Sequence, residues 1–150
     1  MRFTSEQGWI EITFDHYATD AEAWSSGLYD EKNSVELGFD FSLEEIGWGC
    51  VGFEYVLTTD IKAIEKGARD IVNSFADEFS YSVSFPYPVL LDDKEFCVFR
   101  FSRNDEDIKV DLRIWDGLCE YIKITQVLNK DAFSAVAEEL TQAALKFPVR

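Results

Sequence analysis

The chain has 150 residues, of which 29 are acidic and 14 basic, so its formal net charge is −15. A chain of this length can bury a sizeable core without metal or disulfide staples, and its 47% hydrophobic residues exclude the disordered class. Because affinity for phosphate backbones comes mostly from lysine and arginine, the charge also predicts that neither nucleic acid nor an anionic membrane is a partner.

The first half of the chain reads as strands followed by a helix. Apolar residues alternate with polar ones in three segments, and a long loop reaching Asn33 follows the first of them. From Ile61 to Phe79 apolar residues recur every three or four positions, which predicts an amphipathic helix of about five turns capped within Thr58–Asp60. The three predicted strands are Trp9–Phe14, Ser34–Ser42 and Gly49–Leu57.

In the second half of the chain apolar and polar residues again alternate, and the last segment is predicted to be a helix. Lys109, Asp111 and Arg113 share the polar side of one predicted strand. Asn129 or Asp131 can cap a final helix that Pro148 stops. The four predicted strands are Tyr81–Phe85, Phe96–Phe101, Ile108–Trp115 and Tyr121–Leu128.

This order predicts an α+β fold in a single domain, residues 1–150. We expect a mostly antiparallel sheet of about six or seven strands with two amphipathic helices packed on one face. The sequence shows neither an internal repeat nor a linker rich in Pro, Gly or Ser.

The acidic residues are concentrated before the predicted central helix. Residues 1–60 hold 13 acids and two bases, a balance of −11, whereas residues 61–150 have a balance of −4. One interpretation is a solvated surface that keeps the protein soluble. The other is a negative field that steers a basic partner and raises its association rate.

Three short patterns invite a catalytic or ligand-binding interpretation, and each has a plainer one. Gly47–Gly52 matches G-x-G-x-x-G, but a strand rather than a helix follows it, so a glycine-containing bend is favoured over a nucleotide site. His16 is the sole histidine and could act as a general base, yet adjacent strand residues point to opposite faces, which hinders a bond to Asp15. The acids of Asn104–Asp107 are better explained by a hairpin turn than by a calcium loop. We therefore expect no catalytic residue, cofactor or metal.

Cysteine usage and the N-terminus bear on the compartment. Cys50, Cys97 and Cys119 are odd in number, widely spaced and set among apolar neighbours, as expected of small buried hydrophobes. The N-terminus has no apolar segment of the signal-peptide type, and no stretch is long enough to span a membrane. The expected location is cytoplasmic.

The chain resembles the WapI-type immunity proteins, which accompany the cell-wall-associated WapA toxins of bacterial competition systems. The resemblance rests on Gly8–Ile12, an acidic loop around Trp24, the helix start Leu57–Ile61 and the tail Leu145–Val149. It implies a non-enzymatic inhibitor that binds a cognate toxin domain, commonly a basic nuclease, and blocks it. The segment Phe85–Leu91 departs from the family pattern.

On this hypothesis acidic residues and an exposed tryptophan would contact the toxin. The expected partner-binding residues are Asp20, Glu22, Trp24, Asp30, Glu31, Asp40, Glu44, Glu45 and Trp48. Two alternatives stay open from the sequence: an acidic interaction or adaptor domain of unknown partner, and a small hydrolase that uses His16.

Overall fold

The computed structural model describes residues 1–17, 33–45, 47–84, 95–115 and 121–149. These residues form eight strands and two helices, which confirms the α+β prediction. In chain order the elements are β1 (Arg2–Ser5), β2 (Gly8–Tyr17), β3 (Ser34–Leu43), β4 (Gly47–Leu57), α1 (Thr58–Val72), β5 (Glu78–Ser84), β6 (Glu95–Asn104), β7 (Asp107–Trp115), β8 (Tyr121–Asn129) and α2 (Lys130–Lys146).

The strands form two antiparallel sheets rather than one. The first sheet has the order β1-β2-β3-β4 and the second has the order β5-β6-β7-β8, so each strand pairs with its neighbours along the chain. A helix follows the last strand of each sheet without an intervening residue. The arrangement of four strands and a helix thus occurs twice, although the sequence shows no repeat.

One continuous core joins the inner faces of the two sheets and the two helices. Phe39 of the first sheet meets Phe96 of the second edge-on, with ring centroids 5.5 Å apart. Phe101 of the second sheet meets Phe133 of α2 edge-on at 5.0 Å. Phe39, Phe96, Phe101 and Phe133 are at most 2% exposed, and burying such rings supplies much of the free energy of folding.

The central helix is shorter than its periodicity predicts. It ends at Val72, and the next residues close it by main-chain bonds from the Ser74 N–H to the Ile71 carbonyl and from the Phe75 N–H to the Asp70 carbonyl. Ser74 has a φ of 62°, the left-handed conformation that commonly ends helices. Phe75 is consequently 81% exposed and Phe79 lies in β5, so the prediction of a helix reaching Phe79 was wrong.

The helix starts are close to the predicted positions. The Asn129 side chain caps α2 by accepting from the Ala132 N–H at 2.9 Å. At α1 the cap residue is Leu57, whose N–H donates to Asp60 Oδ2 at 2.9 Å, so Asp60 acts from the third helical position.

Two of the three cysteines lie among the described residues. Cys97 is buried as expected, whereas Cys50 is exposed, and both are free thiols. Cys119 lies outside the described residues. Among the helices described, none is long and apolar enough to cross a bilayer.

Candidate functional site

The outward side of the second sheet carries most of its polar side chains. Register places Tyr81, Phe99, Leu112 and Ile124 in one row across the four strands, and this row faces the core. The next row is Ser80, Arg100, Asp111 and Thr125, which faces away from it. The alternation puts the polar residues of all four strands on one surface.

Four basic side chains occupy this surface, and we call it the basic face. Arg100 and Lys123 are exposed, and the side chains of Lys109 and Arg113 are 50% and 30% exposed. Hydroxyl groups lie among them. The basic face is defined by Arg100, Lys109, Arg113 and Lys123 together with Ser80, Ser82, Ser102 and Thr125.

Two carboxylates of the basic face are already held by its own donors. Asp111 accepts from Thr125 Oγ1 at 2.5 Å and from Lys109 Nζ at 2.9 Å. Partial burial raises the pKa of Asp111, but the hydrogen bonds from Thr125 and Lys109 and the charges of Lys109 and Arg100 outweigh it and hold the pKa below its ordinary value. Asp111 is therefore ionised at neutral pH.

The second carboxylate bridges strands at the other end of the face. Glu95 accepts from Ser82 Oγ at 2.6 Å, and its other oxygen lies 3.5 Å from Arg113 Nη2. Glu78 is exposed at the edge strand. Asp107 is exposed at the start of β7 on the same side, so four bases stand against four acids on this face, in a chain whose overall charge is −15.

A shallow hollow of about 520 Å³ lies on the basic face. Its lining includes Ser80 and Ser102, whose small side chains leave room beside Arg100 and Asp111. The hollow thus offers one guanidinium group and two hydroxyls to a ligand, and the carboxylates of Glu78 and Asp111 also line it.

A larger hollow of about 740 Å³ runs between the two helices. Four of its charged side chains pair with one another: Lys66 Nζ lies 2.6 Å from Asp70 Oδ2, and Arg69 Nε lies 2.5 Å from Glu65 Oε1. Because these groups already have partners, the hollow offers a charged ligand fewer groups than the basic face does.

The predicted partner-binding residues that the structure describes lie on the first sheet. Asp40 and Trp48 are on its outward side, where Asp40 pairs with Cys50 and Trp48 with Ser42. Trp48 is 73% exposed, and Glu44 and Glu45 are exposed in the turn after β3. Asp20, Glu22, Trp24, Asp30 and Glu31 lie outside the described residues.

The outward side of the first sheet also holds an aromatic residue that the sequence did not single out. The Arg2 guanidinium stacks over the Trp9 ring, 4.0 Å from its centroid, and Trp9 pairs with Ser42 in the row that contains Trp48. Trp115, in contrast, is only 5% exposed.

The three patterns weighed in the sequence have definite places. Gly47–Gly52 lies within β4, in agreement with the expected strand. Asn104–Asp107 forms the turn between β6 and β7. His16 Nδ1 lies 3.2 Å from Asp15 Oδ2, so the hindrance expected between adjacent strand residues does not keep the two side chains apart. The register of β2 shifts between Phe14 and Tyr17, and this bulge breaks the alternation of side chains.

Comparisons with known proteins place the chain in no family. No family model and no curated protein matches the sequence. Similar solved structures include the plant transcriptional regulator PBF-2, with 9% identity, a TM-score of 0.46 and coverage of 98% of this chain and 80% of that one. They also include two proteins of Arabidopsis thaliana: WHY1 at 11% identity and a TM-score of 0.48, and WHY3 at 11% and 0.47. Both alignments cover 98% of this chain, and they cover 88% of WHY1 and 86% of WHY3. With TM-scores below 0.5, these likenesses assign no residue role here.

These comparisons contradict the functional expectations drawn from the sequence. The resemblance to WapI-type immunity proteins was wrong, and with it the toxin-neutralising function and the cognate toxin as partner. The adaptor and hydrolase alternatives and the exclusion of nucleic acid were also wrong. Two physical reasons account for these errors. An order of strands and helices is shared by unrelated families, and a net charge averages over faces that differ.

Proposed function

We propose that this chain binds single-stranded nucleic acid on the basic face and catalyses no reaction. The observation that carries the proposal is the gathering of four cationic and four hydroxyl side chains on one outward surface of a strongly acidic chain. Such side chains are the usual donors to phosphate oxygens.

The local balance of charge supports binding at this face. Asp111 and Glu95 are engaged with neighbouring side chains, while Arg100 and Lys123 are exposed. Association with a polyanion depends on the cations at the contact, and the acidic remainder of the chain restricts where a strand can approach. The acidic first sheet would repel a strand, whereas the basic face would accept one.

The shape of the face favours a single strand over a duplex. Proteins that recognise duplex DNA place a helix or a two-stranded ribbon in one of its grooves. Here α1 and α2 each bury one side in the core, away from the basic face. The part of this surface around the exposed Arg100 and Lys123 leaves room for an extended strand, whereas Val98 on the same side is fully buried. The width of the four-stranded sheet is roughly 14 Å at about 4.8 Å between strands, so only a few phosphates fit.

The small number of contacts sets the expected salt dependence. If Arg100 and Lys123, the two bases outside the ion pairs with Asp111 and Glu95, each neutralise one phosphate, the logarithm of the binding constant should fall against the logarithm of salt concentration with a slope of about −1.4, at roughly −0.7 per contact. Binding should therefore be measurable at low salt and weak at physiological salt.

Fluorescence anisotropy with a labelled oligothymidylate tests the proposal. The double variant Arg100→Ala with Lys123→Ala should weaken binding at low salt and make the slope shallower by about 1.4. The control is Lys62→Ala with Lys130→Ala, which removes the same charge at exposed positions on the two helices. Absence of binding by the unmodified chain at low salt, or equal weakening in both variants, would overturn the proposal.

We also propose a cytoplasmic location. The free thiols of Cys50 and Cys97 support it, since exposed and buried unpaired cysteines are ordinary in reducing compartments. Fractionation of cells that express the native gene tests this location.

A further inference from the structure

The bulge in β2 gathers three side chains of a kind that binds transition metals. It places Asp15 and His16 opposite Glu36 of β3, and one ligand atom from each of the three lies within 4.8 Å of the other two. His16 Nδ1 lies 3.2 Å from Asp15 Oδ2, and His16 Nε2 lies 3.3 Å from Glu36 Oε2. We propose that this cluster binds a zinc ion, independently of nucleic-acid binding.

The spacing of the ligand atoms fits one ion. Two ligands held about 2.1 Å from zinc at a tetrahedral angle are separated by roughly 3.4 Å, close to the distance between His16 Nε2 and Glu36 Oε2. An imidazole with carboxylates suits zinc, whereas magnesium and calcium prefer oxygen ligands alone. The donor set therefore selects the class of metal.

Burial divides the three residues into fixed and adjustable ligands. The Glu36 side chain is 8% exposed, so packing fixes its position, while His16 is 45% exposed and Asp15 is 68% exposed. A single ion binds one ring nitrogen of His16, so the zinc would lie between Nε2 and Glu36. The exposed Asp15 carboxylate, which contacts Nδ1 in this structure, would rotate to become the third ligand. Three protein ligands leave one position for water, as in zinc sites that retain an open position.

The main chain at the bulge is held from a distant part of the chain. Lys146 Nζ donates to the Asp15 carbonyl at 2.8 Å, and the Tyr17 hydroxyl donates to the Pro148 carbonyl at 2.5 Å. Tyr17 also meets the Phe147 ring edge-on at 5.3 Å. These contacts hold the bulge on both sides of His16, so the main chain is in place before an ion arrives and only the exposed Asp15 carboxylate has to turn.

Zinc titration followed by NMR tests the site directly, since His16 is the sole histidine and its ring signals need no assignment by mutation. The full chain with Cys50→Ser is used, because the exposed Cys50 thiol would also bind zinc. The ring signals should shift and saturate at one equivalent of zinc, and magnesium should leave them unchanged. Ring signals that do not respond to zinc would overturn the proposal.

Calorimetric zinc titration of variants identifies the ligands. His16→Ala and Glu36→Gln should each weaken zinc binding about tenfold or more. Glu11→Gln is the matched control, since Glu11 lies in the same strand outside the cluster. Equal weakening by Glu11→Gln and Glu36→Gln would contradict a defined site. If Glu36→Gln fails to fold, Asp15→Asn at its exposed position supplies the second ligand test.

Discussion

The Tyr81 hydroxyl donates a hydrogen bond to Asp60 Oδ1 at 2.7 Å, and the other oxygen of Asp60 accepts from the Leu57 N–H. One carboxylate thus joins the start of α1 to the first strand of the second sheet. Burial, the hydrogen bond to Asp60 and the Asp60 charge together raise the pKa of Tyr81 to about 12.

Tyr81→Phe should therefore destabilise the fold by about 1 kcal/mol at neutral pH, the usual value of one hydrogen bond. Because the folded-state pKa is raised, the contribution of the hydroxyl is fully present below pH 10 and is lost as the pH rises toward 12. Urea unfolding of both proteins at pH 8 and pH 11 measures the difference. A difference in unfolding free energy between the unmodified protein and Tyr81→Phe that is larger at pH 11 than at pH 8 would contradict this linkage.

Asn129→Ala removes the cap of α2 and should destabilise the protein by about 1 kcal/mol. The lost bond is the one from the Ala132 N–H to Asn129 Oδ1 at 2.9 Å. Thermal unfolding measures the cost. Ser134→Ala is the control on the same helix: its hydroxyl only bonds back to the Lys130 carbonyl, so this change should be neutral or stabilising.

Gly67→Ala should destabilise the protein by about 1–3 kcal/mol, even though alanine is the better helix former by about 1 kcal/mol. A Cβ at Gly67 would lie within 2.4 Å of three carbons of the Phe79 ring. The double variant with Phe79→Leu should recover part of the loss, and a thermodynamic cycle measures that coupling. Purely additive effects would show that the ring is not the obstacle.

Thr141→Val should cost about 1 kcal/mol through a bond between the two helices. The Thr141 hydroxyl lies 2.9 Å from the Ala137 carbonyl of its own helix and 3.1 Å from Oε1 of the buried Glu65, so its one proton serves two acceptors. Glu65 also contacts Arg69. Chemical denaturation of Thr141→Val, Glu65→Gln and the double variant gives the coupling energy. A coupling near zero would assign the cost to lost packing of Thr141 alone.

Secondary structure was predictable where apolar and polar residues alternate. Ser34–Ser42 was expected as a strand and β3 is Ser34–Leu43, because apolar and polar residues alternate along it, although both sides are buried from Ser34 to Phe39. The four residues of β1 are too few to show a period, and they are held by long-range bonds such as that from the Met1 ammonium to the Ile12 carbonyl at 2.7 Å. The helix end was missed because apolar spacing continues past Ser74, whose backbone turns left-handed.

The two candidate sites were predictable to different degrees. The shared side of Lys109, Asp111 and Arg113 is visible in the alternation of β7, but their grouping with Arg100 and Lys123 depends on register between strands. A bulge has no clear sequence signature here, so the meeting of His16 with Glu36 could not be foreseen.

The pairing of every strand with its neighbours along the chain has a consequence for how fast the protein folds. Each sheet can grow hairpin by hairpin, and every step except the long connection between β2 and β3 closes a short loop with a small loss of chain entropy. Contacts that span the chain include those between β1 and β8, between the helices, and between Lys146 and Asp15. We expect them to form after the rate-limiting step, so substitutions there should mainly accelerate unfolding.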